Sequence, residues 1–275
     1  MDYIELSIPI ASAEAGEILT AYLADYPFES FSQEKSLLKA YIPQEQLADC
    51  KEEIDALLAE QQCVGARYVS IETQNWNALW ESNFSPVDVD GRIYIRAPFH
   101  APAENGAMEI VIMPKMSFGT GHHATTHLMS AAVADLEVSG RNGLDMGSGT
   151  GVLAIIAAKC GAAHLDAVDI DEWADENCRE NIATNGVADR ITPILGDASA
   201  IEGRTYDFIL ANINRNILLA DMPRYVAALA EGGTLLMSGI LECDIDSIVA
   251  RAEELGLHFV EKRLRDGWAV VRVER

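Results

Sequence analysis

Basic side chains are scarce in this sequence: 20 Lys and Arg stand against 43 Asp and Glu in 275 residues, a formal net charge of −23. A chain built mainly to grip a phosphate backbone carries a basic stripe, because neutralising phosphates supplies most of that affinity. Direct nucleic-acid binding is therefore not expected, and a basic protein or a cationic amine suits the charge better. Cysteine is also sparse. Cys50, Cys63, Cys160, Cys178 and Cys243 are odd in number and form no C-x-x-C pair, which argues against a disulfide framework or a thiolate zinc site and for core thiols in a reducing compartment. Long apolar runs are missing too: the most apolar stretch, Gly151 to Ala158, is broken by Lys159, well short of the ~20 residues that span a bilayer. The start, Met1-Asp2-Tyr3-Ile4-Glu5, is acidic where a signal peptide carries positive charge, so no membrane association and a cytoplasmic location are expected. No internal repeat or low-complexity segment is visible.

What is present points to a packed α/β protein. Apolar residues make up 49% of the chain, and its length suits one large domain with a small one beside it. Residues 1–72 read as strand (3–8), helix (13–25), strands (28–31 and 36–42), helix (45–61) and strand (66–71), a β-α-β-β-α-β order. This α+β, ferredoxin-like unit carries 14 acidic and 4 basic residues and no catalytic-looking cluster, which suggests a substrate-recognition module. Residues 73–90 read as a linker region whose helix places Trp76, Trp80 and Phe84 on one packing face. From 91 to 275, strands at 92–96 and 108–113 flank a Pro- and Gly-containing loop with room for a lid. Helices and strands then alternate, as a parallel sheet covered on both faces requires. Gly161, Gly186, Gly232 with Gly233, and Gly256 stand where helix ends want a left-handed residue. Arg265-Asp266-Gly267 is too short for a parallel crossover, so the strands at 257–264 and 268–273 are expected to finish the sheet as an antiparallel hairpin.

The run Asp145-Met146-Gly147-Ser148-Gly149-Thr150-Gly151 lies between the first strand of that sheet and its helix, where glycines let the backbone approach a ligand and the helix N-terminus offers free N–H groups. A dinucleotide site wants G-x-G-x-x-G, but Val152 fills the third glycine slot, which weakens a nicotinamide oxidoreductase. Asp169, at the end of the next strand, is placed to accept both hydroxyls of a ribose. The pattern D-x-G-x-G-x-G followed by that acid is the one found in class I S-adenosylmethionine methyltransferases, which implies a Rossmann-like α/β sheet and this cofactor. Asp197 ends the third strand, within reach of an adenine amino group. Asn212 ends the fourth, beside the expected position of the transferred methyl. Methyltransferases that act on planar nitrogens often follow this Asn with prolines and an aromatic ring; here Ile213-Asn214 follows, which suits an aliphatic amine. Ser117 to His127 contains Phe118, Gly119, Thr120, Gly121, Thr125 and Thr126, which read as a loop and helix start closing over the cofactor. His123 and His127, four apart, would suit a metal on a helix, but no H-E-x-x-H and no third ligand accompany them, so no metal is expected.

Taken together, Phe118-Gly119-Thr120-Gly121-x-His123-x-Thr125-Thr126, the Asp145 to Gly151 turn, Val168-Asp169-Ile170-Asp171, Ala211-Asn212-Ile213, Ser238-Gly239-Ile240-Leu241 and Gly267-Trp268 resemble the PrmA family of ribosomal-protein methyltransferases. The likeness spans roughly residues 74 to 275; the first 72 match in size and element order. It implies methylation of lysine side chains and the N-terminal amine of the large-subunit stalk-base protein, ribosomal protein L-eleven; a monomer is expected. It carries cofactor contacts onto Thr126, Gly147, Asp169 and Asn212, and the covering loop onto Phe118 to Gly121. Met113-Pro114-Lys115 departs from the family's usual acid, Pro and Gly. Competing readings are methylation of another protein or RNA, and a non-catalytic S-adenosylmethionine-binding assembly factor.

Overall fold

The computed structural model describes residues 3–71, 84–104, 106–115 and 117–275. Its contacts divide the chain into two units, residues 1–83 and 84–275. In the first, strands β1 (Tyr3–Pro9), β2 (Ser30–Glu34), β3 (Leu37–Pro43) and β4 (Arg67–Ile71) form an antiparallel sheet in the order β2-β3-β1-β4. Alternation decides which face is covered. Ile4, Leu6 and Ile8 of β1 and Leu38, Ala40 and Ile42 of β3 are buried with Leu19 and Leu23 of helix α1 (Ala13–Leu23) and Ile54 and Leu58 of α2 (Gln44–Glu60). Ser12 caps α1, its hydroxyl accepting from the Ala15 N–H at 3.2 Å.

The expected linker stripe falls largely on residues 72–83, so Trp76 and Trp80 lie outside the described residues. Phe84 is not helical; its ring meets His122 at 4.6 Å. Residues 87–89, expected as linker, are strand β5 (Val87–Val89), which makes a hairpin with β6 (Ile93–Arg96) through Asp90 (φ 55°) and Gly91 (φ 69°). Asp-Gly between alternating apolar residues is a strong hairpin signal, and here it outweighs the linker expectation. β7 (Met108–Val111) pairs parallel with β6, giving a separate three-stranded sheet.

The larger sheet has the order β10-β9-β8-β11-β12-β14-β13, from β8 (Asn142–Met146), β9 (His164–Asp169), β10 (Ile191–Leu195), β11 (Tyr206–Asn212), β12 (Leu229–Leu241), β13 (His258–Arg265) and β14 (Trp268–Glu274). The first five are parallel, and β14 inserts antiparallel between β12 and β13, so the expected hairpin is present. This is the Rossmann-like α/β sheet of class I methyltransferases. Helices α3 (Ala124–Ala134), α4 (Val152–Lys159), α5 (Glu172–Thr184), α6 (Arg215–Ala228) and α7 (Ile245–Glu254) accompany it. Two cores lie within this unit, one around Phe208, Ile155 and Ile156, the other around Tyr225, Ile209 and Leu235. At the centre Phe208 of β11 pairs with Gly143 of β8, where a Cβ would fall 2.2 Å from the phenyl ring.

Gly161, Gly186 and Gly256 follow the C-caps of α4, α5 and α7 with φ of 101°, 68° and 86°. The fourth expected cap differs. Leu229 leaves α6 in extended conformation and starts β12, which places Gly232 (φ 69°) inside that strand's early bend. A 3₁₀ turn at Glu242–Asp244 likewise delays the start of α7 to Ile245.

Candidate active site

The sheet order reverses direction between β8 and β11, and ligands bind outside the C-terminal ends of strands at such a switch point. A cleft of about 530 Å³ opens there, within the usual range for cofactor sites. Its walls include Met146 and Gly147 after β8, Asp169 to Asp171 after β9, Gly196 to Ala198 after β10, and Asn212 and Ile213 after β11. Ile217, Asp221 and Tyr225 of α6 complete it, with Phe118 on the rim at 53% exposure. A second cleft of about 250 Å³ shares Phe118, Asn212 and Ile213 with the first and adds His123, Thr125, Asn214, Gly239 and Trp268.

The glycines earn their places sterically. Gly147 has φ 72°, and a Cβ on it would sit 2.3 Å from Ile213 Cγ2; Gly239 has φ 84°, and its Cβ would sit 2.4 Å from the Ile213 carbonyl oxygen. Ile213 is therefore wedged between two glycines. That holds the end of β11, with Asn212, at the junction of the clefts. Asn212 Oδ1 is buried and has no hydrogen-bond partner among the described residues, an arrangement that costs free energy until a donor arrives.

Asp169 lies where a sugar would be gripped. Its Oδ2 accepts from the Gly149 N–H at 2.8 Å and its Oδ1 from the Asp171 N–H at 3.1 Å. Each carboxylate oxygen keeps a further lone pair for a hydroxyl. Asp197 also lines the first cleft, but its Oδ1 accepts from both the N–H (2.8 Å) and hydroxyl (2.6 Å) of Ser199. Those bonds hold the Asp197 carboxyl below its ordinary pKa.

Other candidates stand one layer back. Asp145 is completely buried beneath the glycine turn; its Oδ2 accepts from the Ala154 N–H at 3.0 Å, while its Oδ1 has no partner. Burial pushes its pKa up to about 7, against the Ala154 hydrogen bond and with help from the Asp169 charge. Gly119, Thr120 and Gly121 line neither cleft. Gly119 packs on Thr150, Gly121 on Ile95, and Thr120 Oγ1 lies 3.3 Å from His122 Nδ1. Thr126 is buried, its hydroxyl unpartnered, and lines neither cleft; Thr125 lines the second and pairs with His123 Nδ1 at 2.8 Å. Residues 97–107, where the sequence left room for a lid, contribute no described residue to either cleft.

His123 and His127 have separate environments. The His123 ring stands edge-on to Trp268 (4.7 Å) and Phe118 (5.3 Å), whereas His127 Nε2 lies 2.9 Å from Arg265 Nη1 and 3.4 Å from Asp90 Oδ1. Sequence reading passed over the cleft roles of His123, Gly239 and Trp268, although Gly239 and Trp268 stood within the motifs of the resemblance. It also passed over Asp171, Asp221 and Tyr225. Nothing in the local pattern of α6 marked its Asp221 and Tyr225 face as a cleft wall.

The first cleft fits S-adenosylmethionine in kind: a backbone-exposing glycine turn, a ribose acid with free lone pairs, apolar walls from Met146, Val168, Ile170 and Ala198, and carboxylates to meet a cation. Comparison with known proteins agrees. The family model described as ribosomal protein L11 methyltransferase (PrmA) matches residues 8–275. A protein of that description from Porphyromonas gingivalis is 45% identical over 264 residues, 94% of this chain and 90% of its own length. Another, from Bacteroides fragilis, is 40% identical over 278 residues and 99% of each chain. The crystal structure of ribosomal protein L11 methylase from Lactobacillus delbrueckii subsp. bulgaricus, 27% identical, superposes with a TM-score of 0.65 over 70% of this chain and 99% of its own. With a matching family model over almost its whole length and a sheet that builds the expected cleft, the chain belongs to the ribosomal protein L11 methyltransferase (PrmA) family.

Proposed function

We propose that this chain transfers methyl groups from S-adenosylmethionine to lysine side-chain and N-terminal amines of ribosomal protein L11, in the cytoplasm and as a monomer. The observation that carries the reading is the meeting of two clefts at Asn212, whose buried amide oxygen lacks a donor. When bound, the cofactor supplies an already electrophilic methyl on a sulfonium. What remains for the protein is to hold a neutral amine in line with the S–CH₃ bond.

Asp169 would hold the ribose through the lone pairs that Gly149 and Asp171 leave free, and Asp197 together with the Gly196 backbone would meet the adenine. The acceptor enters the second cleft, where no carboxylate, ammonium or guanidinium lines the wall among the described residues. An amine with an ordinary pKa near 10.4 must shed its proton before it attacks, and an uncharged, aromatic-walled slot favours that loss by desolvation. Asn212 Oδ1 then accepts an N–H of the neutral amine and aims its lone pair at the methyl. Phe118, with Asn212 and Ile213, forms the wall common to both clefts. Residues 1–72, with 14 acidic against 4 basic side chains, attract the basic substrate protein.

The test is incubation with isotopically labelled cofactor and unmethylated ribosomal proteins, followed by mass mapping of the labelled peptides. Label on amines of ribosomal protein L11 supports the proposal. Label in RNA, or on another protein alone, overturns it.

A further inference from the structure

Asn177 and Asn181 of α5 and its C-cap Asn185 recur at every fourth position, and none of the three lines either cleft. Asn185 Oδ1 accepts from the Val111 N–H (3.0 Å) and its Nδ2 donates to the Val111 carbonyl (2.7 Å). Asn181 Oδ1 accepts from the Met113 N–H (2.9 Å), and Asn177 Nδ2 donates to the Met113 carbonyl (3.3 Å). Side chains of a helix thus satisfy backbone that would otherwise need a neighbouring strand. Asn181 makes a second bond elsewhere. Its Nδ2 donates to the carbonyl of Thr150, in the glycine turn, at 2.9 Å.

From Thr150 the connection runs on to the covering loop. The Thr150 N–H donates to the Phe118 carbonyl (2.9 Å), and its Oγ1 donates to the Gly119 carbonyl (2.8 Å). The neighbouring Gly149 comes so close that a Cβ on it would lie 2.3 Å from the Phe118 oxygen, while its N–H is the one bound by Asp169. Asn181 is 1% exposed and Thr150 is fully buried, so water cannot take over these bonds. Phe118, by contrast, projects at 53% exposure on a segment flanked by Gly119 (φ 110°) and Gly121 (φ 98°). Lys115, the departure noted in the sequence, pairs with Glu180 of the same helix at 2.6 Å. Both partners are close to half exposed, and such pairs contribute little.

We infer that Asn181 and Thr150 are positioning residues that tie the covering loop to the glycine turn, so that Phe118 beside both clefts and Asp169 within the first are set in register before any ligand binds. The consequence for binding rests on the reading of the first cleft as the S-adenosylmethionine site; the tie itself does not.

Two variants test it. Thr150→Val keeps the shape and removes the bond to Gly119; Asn181→Leu removes both bonds of that side chain. Hydrogen exchange on the ligand-free protein is expected to show backbone amides of residues 117–121 exchanging about tenfold faster in either variant, with β9 unchanged. Calorimetry is expected to show S-adenosylhomocysteine binding weakened about five- to tenfold in Thr150→Val, the effect of losing one buried hydrogen bond from the bound arrangement. Should Asn181→Leu fail to fold, Thr150→Val decides. Wild-type exchange at 117–121 in the folded variants overturns the tie, even if their melting temperatures fall. Faster exchange with unchanged S-adenosylhomocysteine affinity overturns its role in binding. A wild-type chain that binds no S-adenosylhomocysteine sinks the cofactor reading instead, and the exchange measurement still decides the tie.

Discussion

The two clefts that meet at Asn212 share three residues and differ in charge. Asp169, Asp171, Asp197 and Asp221 line the first, over apolar walls; the second presents Phe118, Trp268 and His123 with only neutral amides and a hydroxyl beside them. A carboxylate-rich wall favours a cation, which suits a sulfonium donor. The same wall around a lysine would hold it as an unreactive ammonium. The contrast separates the group that must stay charged from the group that must lose its charge, in two clefts that share Phe118, Asn212 and Ile213.

The comparison is open to attack from either side. Asp169→Ala is expected to have the largest effect, weakening S-adenosylhomocysteine binding about 100-fold in calorimetry, since charge-assisted hydrogen bonds at a ribose are each worth about 1.5–3 kcal/mol. Its KM for the protein substrate at saturating cofactor should stay close to wild type. Next comes Asn212→Ala: kcat on saturating protein substrate is expected to fall about 10- to 50-fold, in the range for an orienting group used at the transition state, with cofactor affinity changed far less. Undiminished turnover in single-turnover assays would remove Asn212 from the chemistry. Trp268→Ala is expected to raise KM for the protein about fivefold through loss of an aromatic wall, with S-adenosylhomocysteine affinity unchanged in calorimetry. Equal losses in both parameters would show that the clefts do not work separately.

A last test concerns stability, through the carboxyl beneath the glycine turn. Asp145 has a folded-state pKa near 7 against an ordinary value of 3.8, so between those values the folded chain binds the proton that the unfolded chain has released. Its contribution is fully present below about pH 4 and is lost as pH rises to about 7, with a slope of at most about 1.4 kcal/mol per pH unit. Thermal unfolding of Asp145→Asn from pH 4 to 8 should lack that decline. A variant curve parallel to wild type would show that Asp145 titrates normally.

How far the sequence could be read depended on how local the signal was. The turn at Asp145 to Gly151, Asp169, Asp197 and Asn212 all follow strands whose apolar runs and glycine punctuation mark where each strand ends, and the C-terminal edge of a parallel sheet brings such ends together. The hairpin of β13 and β14 was legible because its connection is too short for anything else. β5 was also legible in principle, through Asp90-Gly91, but a short strand beside an aromatic helical stripe is easily absorbed into the linker. By contrast, the second cleft draws on α3's start, β11's end, Gly239 near the end of β12 and the first residue of β14. No spacing along the chain encodes that meeting. The Asn177, Asn181 and Asn185 ladder is similar: period four on a helix shows a shared face, and only packing shows that the face holds backbone.

Short-range sterics and apolar periodicity set the glycine turn, the acids at strand ends and most of the element order. Tertiary structure alone decided which candidates touch the clefts. It placed Asp145 beneath the glycine turn and Thr126 outside both cleft walls, brought Trp268 and His123 into one slot, and left Asn212 Oδ1 buried without a donor. The physical reason is that burial and the pairing of polar groups are properties of neighbours distant in the chain, and they are settled only when the sheet has closed around them.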